Sequence, residues 1–510
     1  MIVPFSLSDF IGRAAQVYGD RVGVVDEPDQ PAASLGELTY TQMHTLAARQ
    51  AAQLDRLGIG FGERVAIVSH NSARLLTSFF GVAGHGRVLV PVNFRLRPDE
   101  ISHIVAHSGA RMLLIDPELD EALAGVTAEH RFVLGDDQHL YAPAGAEPKP
   151  WAPDENATAC INYTSGTTAR PKGVQLTHRN IWTNAMTFGL HAGVSDRDVY
   201  LHTLPMFHVN GWGMPFTTAG LGVTQIMLRK VDGAEILRRV DKHGVTFMCA
   251  APAVVASILD AAATWDGDVP GRDRVRIIVA GAPPPTRTVA RVEEELGWEF
   301  IQLYGLTETS PLLTINRTRA EWDGLSADDR ARKLVRAGAP ALGVSLSTAP
   351  DGEVLARSNT VLAGYWQQPE ASAQVLVDGW FRTGDGGVVG EDGYLTITDR
   401  RKDVIITGGE NVSSIEVEDV IFSHPAVSEV AVIGVPDEKW GETIKALVVL
   451  APGKEVTEAE LIAWSKERAA GFKAPTSVEF RDELARTATG KLQKFRLRAP
   501  YWEGRERQVN

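Results

Sequence analysis

The chain has 510 residues, enough for two to four folding units at roughly 100–200 residues per domain. Its 64 acidic residues outnumber its 51 basic ones, and the formal charge of −13 argues against a protein whose main work is gripping nucleic-acid phosphates or anionic lipid. With 44% hydrophobic and 23% charged residues, disorder as the dominant state is excluded.

The first stretch, MIVPFSLSDFIGRAAQ, lacks a basic n-region and is interrupted by Asp9, so no secretory signal is expected. No apolar run is long enough for a transmembrane helix, and no integral membrane contact is expected. Thr41 is placed to cap a helix carrying Met43, Leu46, Ala47, Leu54 and Leu57 on one face, with Gly58 to end it. Apolar runs follow at 64–68, 87–90 and 112–115. Continuous apolar strands separated by helices predict a parallel sheet covered on both faces. Residues 142–156 (APAGAEPKPWAPDEN) read as a surface connection. Cys160 and Cys249 sit in apolar runs and are too few for a disulfide framework or a four-ligand zinc site, so a reducing, cytoplasmic setting is expected.

The segment 163–173 (YTSGTTARPKG) gathers hydroxyls around a glycine and ends on a lysine, donors suited to phosphate oxygens. It is followed by a helix-like stretch at 177–188, whose N-terminal amides would add to an anion site. The order of a Walker loop is absent. By itself the segment also fits a polar turn. Residues 275–280 (VRIIVA) form another strand candidate.

Near residue 400 the texture changes. The charged cluster 399–403 (DRRKD) precedes shorter elements: capping boxes at Ser413/Glu416 and Thr457/Glu460, and strands at 430–435 and 444–450. A compact α+β unit of ~110 residues hung on a charged linker is predicted. The fold class is therefore α/β: a large N-terminal domain of α/β subdomains with buried sheets over 1–399, and a small C-terminal α+β domain over 400–510.

Five further strings accompany YTSGTTARPKG in fixed order: YGLTETSP at 304–311, GWFRTGD at 379–385, DRRKD at 399–403, TGGENVS at 407–413 and TATGK at 487–491. The ordered set resembles the adenylate-forming superfamily, and in particular its AMP-dependent acyl-CoA synthetases, over nearly the whole chain. The resemblance implies ATP, Mg²⁺ and coenzyme A, a hydrophobic carboxylic acid, and a C-terminal domain that moves between two half-reactions. It implies that Thr164, Ser165, Gly166, Thr167, Thr168 and Lys172 hold the β- and γ-phosphates, and that Gly281 and Ala282 lie beside adenine and the acyl group. Tyr304 would stack on adenine, with Gly305 and Leu306 lining the substrate pocket. Thr307 would contact phosphate and Glu308 would hold Mg²⁺. Asp385 would bind the ribose hydroxyls, Arg400 ribose or phosphate, and Lys402 would lie at the hinge. Lys491 would bridge the acid carboxylate and the α-phosphate during adenylation.

The string 204–213 (LPMFHVNGWG) resembles the wall of the acyl pocket, with Phe207, Val209, Trp212, Met214 and Phe216 as apolar wall and His208 between the pocket and the incoming thiol. For each aromatic, plain core is an equal alternative. Gly408 and Gly409 would line the pantetheine passage, and Lys473 with the basic end would meet CoA phosphates, a solvated basic tail being an equal alternative. Three departures stand out: Ala169 where the family has glycine or serine, Gly386 and Gly387 after Asp385, and a short stretch over 338–357. They frame a second reading, a divergent chain that mainly thioesterifies an acyl-adenylate supplied by a separate adenylating enzyme. A third is a nucleotide-binding protein without turnover. No G-x-S-x-G or G-x-G-x-x-G occurs, which removes the best signals for a serine hydrolase or a dinucleotide oxidoreductase. CoA is favoured over a carrier protein as acceptor, nucleic acid is not expected as a partner, and a homodimer is possible.

Overall fold

The computed structural model describes residues 1–164, 171–400, 402–408, 410–487 and 491–503. Among them the strands form four sheets, of nine, seven, five and five strands. In the seven-stranded sheet, Arg64–Val68 lies between Val88–Val92 and Ala110–Ile115 and is parallel to both. Val65 and Ile67 join one apolar cluster while Ala66 and Val68 join another. Two buried faces are what an unbroken apolar strand needs.

The nine-stranded sheet has six parallel strands, Glu299–Gly305, Arg276–Val279, Phe247–Ala250, Val199–His202, Thr224–Met227 and Val22–Val25. Antiparallel strands flank them at both edges. In a smaller antiparallel sheet, Trp380–Val389 runs between Glu353–Ser358 and Leu395–Arg400. From Ile405 on, strands including Val427–Asp437 and Gly441–Leu450 pack with helices Ser414–Phe422 and Glu458–Arg468 around an apolar cluster of their own.

The two large sheets are fastened by a buried ion pair. Arg229, just past Thr224–Met227, donates to both oxygens of Asp116, just past Ala110–Ile115, at 2.8 and 2.7 Å. Both side chains are under 5% exposed. A bidentate guanidinium–carboxylate pair satisfies donors and acceptors together, so neither charge is stranded in the interior. Among the described residues no helix is long and apolar enough to cross a membrane. Both cysteines are free and buried, as expected of small apolar side chains.

Three local expectations are corrected. The helix Tyr40–Arg56 is capped by Thr39, not Thr41. The Thr39 hydroxyl accepts from Gln42 N, and the Gln42 side chain returns to Thr39 N, a reciprocal box unavailable to Thr41 inside the first turn. Gly58 does take a left-handed conformation after the helix, at φ 72°. Thr39→Ala should lower unfolding stability by about 1 kcal/mol; an unchanged denaturation midpoint would mean that packing alone holds the helix.

Secondly, Ser413 caps the helix Ser414–Phe422, but Glu416 does not close a box, because its carboxylate takes the Lys473 ammonium at 2.7 and 2.8 Å. Thirdly, the helix after the phosphate-loop candidate, His178–Ala192, does not open on that loop. The strand Lys172–Thr177 intervenes, running antiparallel to Thr158–Thr164. At ~3.3 Å per residue the helix N-terminus stands about 20 Å from Lys172, so its amides serve no anion there.

Candidate active site

Tyr304 ends the strand Glu299–Gly305, and its hydroxyl donates to Asp385 Oδ2 at 2.9 Å. Asp385 is buried, and its other oxygen lies 3.1 Å from Arg400 Nε, the residue opposite it in the antiparallel ladder. Glu353 accepts from Gly384 N and pairs with Arg382, which fixes the irregular part of the strand that delivers Asp385. The departure at Gly387 has a local cause, whereas nothing in the packing around Gly386 explains the glycine there. The ladder shifts register between the two, and a Cβ on Gly387 would stand 2.7 Å from Val354 Cγ2 and 2.9 Å from Thr396 O. A bulky residue at 387 has no room.

Glu308 follows on the turn Thr307–Thr309, with Thr307 buried beside it and Leu306 half-buried. Its Oε1 accepts the Tyr365 hydroxyl at 3.0 Å, and Lys172 Nζ lies 4.9 Å from the centre of the Tyr365 ring. One tyrosine thus joins the lysine of the first motif to the glutamate of the second. It is placed by Gly364–Tyr365, which pairs with Lys172–Thr177. Thr164 and Lys172 face each other at the end of the hairpin. Ser165, Gly166, Thr167, Thr168 and Ala169 lie outside the described residues, as do Arg401 and Gly409.

Lys491 is held by a pinched backbone: Thr487 N donates to Lys491 O at 2.7 Å and Lys491 N to Thr487 Oγ1 at 3.0 Å. Its side chain keeps solvent access, yet protein crowds it on the site side. That crowding, with Arg400 and Lys402, pulls its ammonium down to about 8 against the opposing pull of Asp385 and Glu308. His208 is pushed down to about 4, first by burial and then by the charge of Lys491, so its imidazole is neutral at physiological pH. Lys491, Arg400, Asp385, Glu308 and His208 therefore share one electrostatic site. Lys402 is half-buried beside it, its ammonium lowered by burial.

Along the predicted wall, Phe207 meets Phe94 edge to face at 5.4 Å, and Phe94 lies 3.9 Å from His70. Val209 and Trp212 are buried with Leu204, Ile278 and Ala280. Phe216 is core, not wall, packed edge-on against Phe79 and Phe80, and Met214 is likewise fully buried. Gly281, two residues past the strand Arg276–Val279, takes φ 97°, with Ala282 half-buried after it. Gly408, at φ 59°, has Trp440 so close that a Cβ would stand 2.8 Å from the ring. Lys473 is engaged by Glu416. Tyr365, Phe94, His70 and Glu353 were not legible as site residues: each reaches the site through a partner far away in sequence.

Residues 12–366 match the family described as AMP-binding enzyme, and residues 416–491 the AMP-binding enzyme C-terminal domain. The chain is 37% identical to 4-hydroxybutyrate--CoA ligase 2 of Metallosphaera sedula, over 96% of this chain and 93% of that one. It is 37% identical to 2-methylpropanoate--CoA ligase CCL4 of Humulus lupulus, over 97% and 95%. Among solved structures it is similar to o-succinylbenzoate CoA synthetase of Bacillus subtilis in complex with its acyl-adenylate intermediate, with a TM-score of 0.83 and 29% identity over 96% of this chain and 97% of that one. The same synthetase in complex with ATP and magnesium ion also gives 0.83, at 28% identity over 96% and 99%.

Proposed function

Because the chain belongs to the AMP-binding enzymes and is an acyl-CoA ligase that uses ATP, Mg²⁺ and CoA through an acyl-adenylate, we propose that its acid is a small apolar carboxylic acid and that the groups around Lys491 carry both half-reactions. The observation that carries the site reading is the ion pair of Arg400 with the buried carboxylate of Asp385, which together with Glu308 lies within electrostatic reach of Lys491. Asp385 is an acceptor-only group suited to two ribose O–H donors, and Tyr304 and Arg400 hold it in place. Tyr304 lies beneath adenine. Thr307, Lys172 and the loop over 164–168 receive the phosphates.

In the first half-reaction a carboxylate oxygen attacks the α-phosphorus and pyrophosphate leaves. Both reactants are anions, so catalysis is positioning and charge neutralisation, with Lys491 between them. Glu308 fits a shared role in Mg²⁺ binding, since that ion takes one or two carboxylates plus substrate phosphates, and no cluster of three ligands exists among the described residues. When bound, Mg²⁺ neutralises charge on the leaving pyrophosphate. In the second half-reaction the CoA thiolate attacks the acyl carbon and AMP leaves. Neutral His208 stands beside its path, and Gly408 lines the passage. The two alternatives, a chain confined to thioesterification and a binding protein without turnover, draw no support from the relatives.

A division after residue 399, with Lys402 as hinge, is supported by the separate apolar cluster that begins at Ile405. A cytoplasmic setting is supported by the two free thiols, although a relative 36% identical is named as peroxisomal.

The small-acid reading rests on how full the wall is: Phe207 is braced by Phe94, and Trp212 is 4% exposed. The names of both curated relatives cite four-carbon acids. Pyrophosphate exchange measured from acetate to decanoate should peak among the short acids, and Phe207→Ala should move the peak to longer ones. Each methylene is worth about ten-fold or more where the pocket fits. A peak at octanoate or beyond in the unaltered enzyme would overturn the reading.

A further inference from the structure

Five consecutive residues after His208 are left-handed: Val209, Asn210, Gly211, Trp212 and Gly213, with φ of 48°, 54°, 58°, 60° and 80°. L-residues enter this region singly and at a cost, and a β-branched valine there is an outlier. A full left-handed turn persists only where its surroundings over-determine it. Here two buried asparagines from separate elements, Asn162 and Asn184, do so, while a third, Asn71, pins the segment that leads into the turn. Asn71 Nδ2 donates to His202 O and Leu204 O, and its Oδ1 accepts from Met206 N. Asn162 Nδ2 donates to Phe207 O at 3.3 Å and to Asn210 Oδ1 at 3.1 Å. Asn184 Nδ2 donates to Trp212 O at 3.2 Å, and its Oδ1 accepts from Leu312 N. A side chain at Gly213 would be strained at φ 80°, and its Cβ would stand 2.5 Å from Asn184 Nδ2 and displace that amide. Asn162 Oδ1 is buried with no partner among the described residues, so this side chain serves the turn at a cost to its own hydrogen bonding.

We propose that the left-handed turn Val209–Gly213 is a strained positioning element that fixes the acid against Lys491, and that Asn162 and Asn184 are the positioning residues that hold it. The proposal rests on the reading of this segment as the acyl wall. His208 at its entrance lies within electrostatic reach of Lys491, and Phe207 and Trp212 are the wall residues whose carbonyls the two asparagines grip. Relaxation of the turn would move His208, Phe207 and Trp212 together. The acid would lose its alignment while the nucleotide, bound around Asp385, would keep its own.

The test uses the full-length enzyme and whichever acid it turns over fastest, so an error in acid class appears in the unaltered enzyme's panel and not in the variants. For Asn162→Ala and Asn184→Ala, kcat/KM for the acid should fall by about 10²-fold, the scale of an ångström-sized misplacement. The KM for ATP should stay within a few-fold. Equal losses toward acid and ATP would overturn the proposal. The ratio of kcat/KM between two acids of different length does not depend on the fraction of folded protein, and it should drop in both variants. An unchanged ratio would also overturn it. Asn210 separates strain from packing. Glycine accepts φ 54° freely and alanine does not, so Asn210→Gly should retain about five-fold more acid kcat/KM than Asn210→Ala. An alanine variant equal to or better than glycine would show that the left-handed backbone has no part in placing the acid.

Discussion

Lys491→Ala should lower the rate of acyl-adenylate formation by about 10²–10³-fold, the usual cost of removing one preorganised donor to developing charge. Conversion of a supplied acyl-adenylate to thioester should change only a few-fold. Arg400 is committed to Asp385, whereas no carboxylate of the described residues lies within ion-pair distance of Lys491. Its charge is therefore available to the two anions of the first step. The second step replaces one of them with a thiolate attacking carbon, and does not need the same cation. Measuring both half-reactions on one preparation decides the matter. Equal losses in the two would refute the assignment.

The acidity of Lys491 gives this prediction a pH signature. Its ammonium is held at about 8 by crowding and by Arg400, so it carries its proton below that pH and loses it above. The kcat/KM for adenylation, which reports free enzyme, should fall as pH rises through about 8. Lys491→Arg stays protonated and should carry the limb upward, even at a lower plateau. A limb that stays put belongs to another group.

Gly305→Ala should destabilise the protein by of order 3 kcal/mol and leave little pyrophosphate exchange. A Cβ at this position would stand 1.5 Å from Pro311 O, a bonding distance, with Pro311 C at 2.7 Å and Leu313 N at 3.2 Å. The obstacle is backbone of the adjoining strand, so no rotamer change can relieve it. The strands must part where Tyr304 reaches Asp385 and where Thr307 and Glu308 begin. Thermal unfolding reads the first effect and exchange the second. An alanine variant with an unshifted midpoint and full exchange would mean that the strands are not this close.

Long apolar strands and the motif series were legible because each is written in consecutive residues. The runs at 64–68 and 112–115 need nothing beyond their own hydrophobicity to be read as strands buried on two faces. Lys491, Asp385 and Glu308 were legible through the strings that contain them. Tyr365 was not, because its meaning is a hydrogen bond to Glu308, 57 residues away, and no local pattern distinguishes that tyrosine from others. The asparagines at 71, 162 and 184 were missed for the same reason: asparagine in sequence signals turns, not a side chain gripping a distant main chain. The expected helix-end anion site failed because hydroxyl-rich composition marks a loop without saying whether a strand or a helix follows it.

The Arg229–Asp116 pair also bears on how this chain can exchange parts with its relatives. The two halves of the pair lie 113 positions apart. A recombinant whose crossover falls between residues 116 and 229 takes its carboxylate from one parent and its guanidinium from the other. Where the second parent fills either position differently the bidentate pair is lost, leaving Arg229 with Glu118 alone or Asp116 without its cation, and the hybrid should be destabilised although each parental segment is sound. Crossovers outside that interval inherit the pair intact. Productive hybrids of this enzyme should therefore cluster at junctions before residue 116 or after residue 229, and a library of random junctions would map the fastening between the sheets as a gap in the survivors.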